Sequence, residues 1–149
     1  MLILDTGCTH DGYFCDFDRN FAFGQVDQAT ADAYARVHES IDVALELARP
    51  GVTCAQLFHS MQSLLTTQGD SVDSGNVGRM GHGLGMQLTE TPSITHFDQT
   101  EMVPGMVMTL EPGMAYRDGR IMVHEENIVI TADGCRLLTQ RAAANIPVI

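Results

Sequence analysis

The sequence predicts an α+β protein in which two strands are followed by two helices and then by more strands. Two apolar runs, LILDTG and GYFCDFDRNFAFG, flank a turn around CTHDG, and this pattern predicts a β-hairpin. Residues 27–48 carry apolar side chains at helical spacing and stop before the Arg-Pro-Gly of residues 49–51. A second helix is expected to be capped by Thr53 and to end near Gly69.

Apolar runs in the second half of the chain predict further strands. MVPGMVMTLEPG is expected to turn and then to form a short strand that ends at Glu111. IMVHEENIVIT is predicted as one continuous strand and CRLLT as a final short strand, with an ADG turn between them. Residues 116–120 are expected to turn, and the polar residues 70–76 are expected to form a loop.

Composition excludes several classes of protein. The chain has 149 residues, 44% of them hydrophobic, which is enough for one packed domain. Its net charge is −11 and it has no lysine, so we expect no nucleic-acid partner. No apolar run approaches the ~20 residues of a membrane span, so no membrane association is expected. Cys8, Cys15, Cys54 and Cys135 form no CxxC pair, and this predicts reduced thiols and a cytoplasmic location.

Four carboxylates occupy strand-like apolar segments, where a polar group costs free energy unless a partner satisfies it. They are Asp5, Asp16, Glu111 and Glu125. Any one of them could face water at a strand end or pair with Arg19 or Arg120. If all four converge, their mutual repulsion raises their pKa values, and a bound cation would relieve it.

His82 lies among three glycines in GHGLG, residues 81–85. The segment could be a flexible turn in which the histidine is incidental, or a backbone that must come close to something bound by the ring. The other histidines weighed are expected to be packed or solvated: His10, His38, His59 and His96. A ligand set of one imidazole and several carboxylates suits Mn, Fe, Co or Zn. Two bridged ions would employ all four carboxylates as ligands.

These segments resemble the metal-binding motifs of the pita-bread metallopeptidases (M24), which include methionine aminopeptidases, aminopeptidase P and prolidases, with creatinase and ectoine hydrolase as non-peptidase relatives. The family's metal ligands are Asp, Asp, His, Glu and Glu in chain order. The matching positions are Asp5 in LDTG, Asp16 in GYFCD, His82 in GHGLG, Glu111 in TLEPG and Glu125 in EENIVIT. Glu126 occupies the neighbouring position, and Glu125 is assigned because Thr131 then falls where the motif requires a threonine.

The resemblance implies the C-terminal half of a pita-bread fold, with a curved antiparallel sheet and two main helices. It also implies two divalent metal ions (Mn, Co, Zn or Fe). Asp5 would serve one ion, His82 and Glu111 the other, while Asp16 and Glu125 would bridge them. The implied reaction is hydrolysis of a peptide or amide bond, with His82 and Glu111 as catalytic residues and Glu111 moving the proton.

The sequence departs from the family seven positions after His82. The peptidases carry a second histidine there that contacts the substrate amide, whereas this chain has Thr89, followed by Glu90. A threonine donates one neutral hydrogen bond and cannot carry positive charge. We expect Thr89 and Glu90 on the substrate side. Three alternatives stay open: an Xaa-Pro aminopeptidase or dipeptidase, a hydrolase of a non-peptide amide or cyclic amidine, and an inactive metal-binding fragment.

GHGLGMQLTE and MVHEEN are more similar to the ectoine-hydrolase-like branch of the family. The family's catalytic domain has an N-terminal half before the first ligand aspartate, so residues 1–149 are expected to form a partial catalytic domain without it. Exposed sheet edge and apolar surface should follow. The expected partners are therefore a small peptide or amide substrate, and either a second copy of the chain or the missing half.

Overall fold

The protein is described by a computed structural model over residues 1–65, 78–117 and 119–149. It opens with a hairpin of β1 (Leu2–His10) and β2 (Tyr13–Phe21). Asp11 and Gly12 join these strands with φ values of 50° and 86°, the backbone that a tight two-residue hairpin turn needs. The hairpin is confirmed, and β1 runs longer than predicted because its pairing continues to the turn.

Two helices follow: the first begins one residue after the predicted start at Asp27, and the second begins directly after the predicted cap, Thr53. Helix α1 (Gln28–Leu47) starts after Asp27, whose side chain accepts a hydrogen bond from the backbone N–H of Thr30. Helix α2 (Cys54–Leu65) starts after Thr53, whose hydroxyl accepts a hydrogen bond from a backbone N–H three residues on. The predicted end of α2 near Gly69 and the predicted loop 70–76 lie outside the described residues.

The remaining strands are short and antiparallel. They are β3 (His82–Gly83), β4 (Glu90–Ser93), β5 (Val107–Leu110), β6 (Gly113–Arg117), β7 (Arg120–Val123), β8 (Glu126–Ile130) and β9 (Cys135–Leu137). Five of them form a sheet in the order β4-β3-β5-β8-β9, while β6 and β7 form a separate hairpin. The apolar faces of both helices and the inner faces of these strands share one core. The α+β class and the antiparallel sheet are confirmed.

The prediction of one strand over IMVHEENIVIT is wrong. Strand β7 ends at Val123 and β8 begins at Glu126, with His124 and Glu125 between them. The break has a topological cause, because β7 pairs with β6 whereas β8 pairs with β5 and β9. The chain leaves one sheet and enters another here, and both connecting side chains are buried.

Strand β1 is more exposed than its partner strand β2. Its residues are exposed from Leu4 onward, and its outer edge pairs with no strand in the described ranges. Exposed sheet edge was therefore expected correctly, and the homodimer stays a prediction. Within the described ranges, none of the helices combines the length and apolar character that crossing a membrane requires.

Candidate metal centre

The β1–β2 hairpin places three carboxylates on one face. Asp5 lies directly opposite Asp18 in the strand register, and Gly7 lies opposite Asp16. Asp16 and Asp18 are two residues apart, so their side chains project to the same side of the strand. Asn127 fixes the position of Asp16, because its side-chain amide exchanges two hydrogen bonds with the Asp16 backbone.

His82 faces these acids from β3, which lies between β4 and β5 in the five-stranded sheet. It is fully buried, and its backbone N–H donates to the hydroxyl of Thr109 over 3.1 Å. Its Nδ1 lies 2.9 Å from the Gly83 carbonyl oxygen. A carbonyl only accepts, so Nδ1 carries the proton and Nε2 presents a lone pair. Nε2 points at the acids, 3.9 Å from Asp16 Oδ2 and 4.0 Å from Glu125 Oε1.

Glu125 belongs to two groups of potential ligands. In each group, one ligand atom per residue lies within 4.8 Å of the others, and the groups are Asp16–His82–Glu125 and Asp5–Asp18–Glu125. The Glu125 side chain is 2% exposed. Two neighbouring groups that share one carboxylate have the arrangement that a pair of bridged cations requires.

Glu111 lies beside both groups but belongs to neither among the described residues. It directly follows β5, and its Oε2 is 4.0 Å from Arg79 Nε. Burial raises the pKa of the Glu111 carboxyl, and the Asp16 and Asp5 charges add to that rise while Arg79 opposes it. The charge of Glu111 in turn raises the pKa of Glu125, so it acts on the same cluster.

The two adjacent glutamates have opposite surroundings. Glu126 is fully buried and well satisfied: it accepts hydrogen bonds from Arg19, Arg141, Thr139 and the backbone N–H of Ala142. Glu125 Oε1 has no hydrogen-bond partner in the described part of the chain. Of the two, Glu125 is therefore the carboxylate that is free to bind a cation.

The acids of the cluster resist ionisation in the metal-free protein. Burial, followed by the charges of Glu111, Asp16 and Asp18, raises the pKa of Glu125 to about 9. Burial and the Asp5 charge also raise the pKa of Asp16, against the opposing effect of His82. Asp18 reaches a pKa of about 7, mainly through burial. Divalent cations would remove this penalty by pairing with the carboxylates.

The buried carboxylate oxygens that lack hydrogen-bond partners in the described part of the chain make these residues suitable for a metal site. Buried oxygens of Asp18, Glu111 and Glu125 lack a hydrogen-bond partner within the described ranges. Buried carboxylate oxygens without partners are costly in a folded protein, and a cation is the ligand that satisfies several of them together. The donor set of one imidazole nitrogen and several carboxylate oxygens suits Mn, Fe, Co or Zn.

Gly81 and Gly83 of GHGLG allow the backbones of neighbouring strands to pack closely around His82. Gly81 has φ +137°, and a Cβ there would overlap the carbonyl oxygen of Thr109 in β5. At Gly83 a Cβ would come within 2.6 Å of the Thr91 carbonyl oxygen. Two neighbouring strands therefore approach His82 more closely than a side chain would permit, which decides against the interpretation as a flexible turn.

Neither of the two residues predicted on the substrate side belongs to the two groups of potential ligands found among the described residues. Thr89 is exposed. Glu90 lines a cavity of about 440 Å³ together with Gly83 and Gly85, and its Oε1 accepts a hydrogen bond from the backbone N–H of Gln87. The Glu90 carboxylate thus stabilises the loop of residues 87–90. Contact of either Thr89 or Glu90 with substrate stays a prediction.

Two buried residues near the site were missed by the sequence interpretation. Asp18 follows Asp16 by two positions, so strand alternation already placed both side chains on one face. His124 precedes Glu125 and packs its ring edge-on against Tyr34, with centroids 4.5 Å apart. Burial lowers the pKa of His124 to about 3, so the ring is neutral. The buried position of His124 was not predicted, because the break between β7 and β8 was not predicted.

A buried histidine and converging carboxylates on an antiparallel α+β frame define a candidate metal centre, and comparison with known proteins agrees. Residues 1–132 match the metallopeptidase family M24. The chain therefore belongs to this family, and it has the C-terminal part of the pita-bread fold. Asp5, Asp16, His82, Glu111 and Glu125 all lie inside the matched range.

Individual relatives support the same assignment. The chain is 28% identical to the Xaa-Pro dipeptidase of Pyrococcus furiosus over 141 residues, covering 94% of this chain and 40% of that protein. It is 35% identical to the probable dipeptidase PepE of Mycobacterium tuberculosis over 136 residues, covering 90% and 36%. The crystal structure of X-Pro aminopeptidase from Thermotoga maritima superposes with a TM-score of 0.88 at 27% identity, covering 99% and 41%. The chain thus spans about two-fifths of the length of these relatives.

Proposed function

We propose that this chain carries the metal centre of a hydrolase that cleaves peptide bonds, with an Xaa-Pro dipeptide as the substrate class. The convergence of Asp5, Asp16, His82 and Glu125, with buried oxygens left unpartnered, carries the proposal. Its substrate class comes from the relatives, which are named Xaa-Pro dipeptidase and X-Pro aminopeptidase. Residues 1–149 are proposed to be part of one catalytic domain.

The residues have separate proposed roles. Asp5, Asp16, His82, Glu111 and Glu125 would hold two divalent cations, with Glu125 shared. Bound cations of this kind lower the pKa of a water molecule and polarise a scissile carbonyl. His82 presents Nε2 to the centre because Nδ1–H donates to the Gly83 carbonyl. That hydrogen bond fixes the tautomer and the ring orientation.

Glu111 is the proposed proton carrier. Its carboxyl is partly buried, its Oε2 has no hydrogen-bond partner among the described residues, and its raised pKa suits a group that both accepts and returns a proton. In hydrolysis the water oxygen adds to the carbonyl carbon and the C–N bond breaks. The proton that Glu111 takes from water is delivered to the leaving nitrogen.

A test uses Ala-Pro dipeptide with added Mn²⁺ and the Glu111→Gln variant. We expect the 149-residue chain to hydrolyse the dipeptide and the variant to lose about 10²-fold or more of kcat, because an amide cannot carry the proton. Glu46→Gln, at an exposed position of α1, is the matched control and should retain full activity. Equal kcat in Glu111→Gln and the unchanged chain would remove Glu111 from the proposed role.

The same assay includes ectoine as a substrate, because Thr89 stands where the peptidases carry a second substrate-contacting histidine. Turnover of ectoine without turnover of the dipeptide would move the proposal to a hydrolase of cyclic amidines. If the chain binds cations yet hydrolyses neither compound, the hydrolase proposal is wrong for this chain, and a metal-binding fragment is what remains.

A further inference from the structure

Asp18 is a buried carboxylate that none of the roles above uses. It is 4% exposed, although Asp5, its partner in the hairpin register, is exposed. Its Oδ1 has no hydrogen-bond partner in the described part of the chain. We infer that Asp18 is a further metal ligand, which completes an all-carboxylate cation site with Asp5 and Glu125. The inference rests on the proposed function and deepens it.

The geometry of the three carboxylates supports the inference. One oxygen from each of Asp5, Asp18 and Glu125 lies within 4.8 Å of the other two. Two oxygens bound to one cation lie at most about 4.4 Å apart, because each metal–oxygen bond is about 2.0–2.2 Å long, so small side-chain movements would bring these three oxygens onto one ion. Two of the three side chains are almost fully buried, and each of these has an unpartnered oxygen. Asp18 therefore belongs to a largely buried group of carboxylates with unpartnered oxygens, which differs from a cluster of exposed surface charges.

Arg19, which follows Asp18 in β2, makes no hydrogen bond to the Asp18 carboxylate among the described residues. Arg19 Nη1 donates to the backbone carbonyls of Asp18 and Glu125, over 2.7 and 2.9 Å. Arg19 Nη2 donates to the Glu126 carboxylate and to the Gln140 carbonyl. The guanidinium thus anchors the backbones of two ligand residues while the Asp18 side chain faces the acids. Within residues 1–65, 78–117 and 119–149 no ion pair involves Asp18, so an ordinary structural ion pair does not explain its burial.

The donor chemistry separates the two halves of the centre. The group with Asp5, Asp18 and Glu125 offers only carboxylate oxygens, which suit hard ions such as Mn²⁺. The group with His82 includes an imidazole nitrogen, which suits Zn²⁺, Co²⁺ and Fe²⁺ as well. Without Asp18, the first group would keep only two carboxylates, one of them shared. Asp18 therefore determines whether the first group binds a cation tightly by itself.

Calorimetric titration of the metal-free chain with Mn²⁺ tests this role, with Asp18→Asn as the variant. Asp11→Asn is the matched control, because Asp11 lies in the same hairpin, is exposed and is outside both groups. We expect two Mn²⁺ per unchanged chain and per Asp11→Asn chain. In Asp18→Asn, one site should keep its affinity and the other should lose at least tenfold.

The outcomes separate this inference from the proposed function. Two Mn²⁺ bound by Asp18→Asn with unchanged affinities would overturn the inference and leave the proposed function standing. No Mn²⁺ bound by the unchanged chain would overturn both. Thermal unfolding in EDTA is the second readout, since Asn keeps the shape of Asp and removes only an unpartnered charge. If the variant unfolds at a lower temperature than the unchanged chain in EDTA, the Asp18 carboxylate has a stabilising partner within the protein itself. That result would overturn the inference.

Discussion

Substitution of Glu125 by Gln is expected to weaken cation binding in both halves of the centre, because both groups of ligands share this carboxylate. Loss of a residue that only supports a ligand already costs about 10- to 100-fold in metal affinity, and loss of a shared ligand should cost at least as much. The free energy of unfolding of the metal-free protein should not fall, since Glu125 Oε1 lacks a hydrogen-bond partner among the described residues.

The same substitution at Glu126 provides the matched control. Glu126 accepts hydrogen bonds from Arg19 and Arg141, so Glu126→Gln removes a buried ion pair. We expect it to lower the free energy of unfolding by about 3–5 kcal/mol while the folded protein keeps its cation affinity. Urea unfolding and Mn²⁺ titration of both variants distinguish the two glutamates. The reverse pattern, with cation binding lost in Glu126→Gln alone, would assign the ligand to Glu126.

The pH dependence of cation affinity gives a second signature of Glu125. Its pKa is raised to about 9 in the metal-free protein, mainly by burial, so at neutral pH it holds a proton that a cation must displace. Affinity should therefore rise with pH from 6 to about 9, by at most about tenfold per pH unit for one proton. Glu125→Gln should flatten this rise, because the amide has no proton to release.

Gly81→Ala is expected to cost more than about 4 kcal/mol in the free energy of unfolding, or to prevent folding. A Cβ at this position would overlap the Thr109 carbonyl oxygen and come within 2.9 Å of Ile94 Cδ1. The overlap is with backbone, so it cannot be relieved by rotating a side chain. Movement of the Thr109 strand would also disturb His82, whose N–H donates to the Thr109 hydroxyl.

Gly105→Ala separates this overlap from the cost of the backbone conformation. Gly105 has φ +92°, and a Cβ there would meet no atom within 4 Å. Its substitution should cost only about 1–2 kcal/mol, the ordinary penalty of a left-handed backbone for alanine. Urea unfolding midpoints measure both variants. Similar losses in the two would show that close packing of strands around His82 is not the reason for the glycine.

Local signals in the sequence were enough for the hairpin that carries Asp5 and Asp16 and for the start of α2. The Asp11-Gly12 dipeptide predicted the hairpin, and capping by Thr53 predicted the start of α2. Family motifs predicted the ligand positions, and four of the five, Asp5, Asp16, His82 and Glu125, lie in the two groups of the structure. Glu111 lies beside them. Their binding of metal stays a proposal.

What the sequence could not supply depends on contacts between distant segments. The motif spacing to Thr131 assigned the ligand to Glu125, but the physical difference between the two glutamates, the partners of Glu126 from β2 and the C-terminal residues, comes only from the structure. The break at His124 depends on β7 and β8 belonging to different sheets. Asp18 could have been found from strand alternation, but its burial follows from packing that no local pattern records.

The measurement that tests the central claim most directly is calorimetric titration of the 149-residue chain with Zn²⁺ and Mn²⁺, beside the Asp16→Asn variant. The account predicts two cations per chain and weaker binding in the variant, because Asp16 faces His82 Nε2 and Glu125 in one of the two groups. A chain that folds but binds neither cation would contradict the claim that these residues form a metal centre.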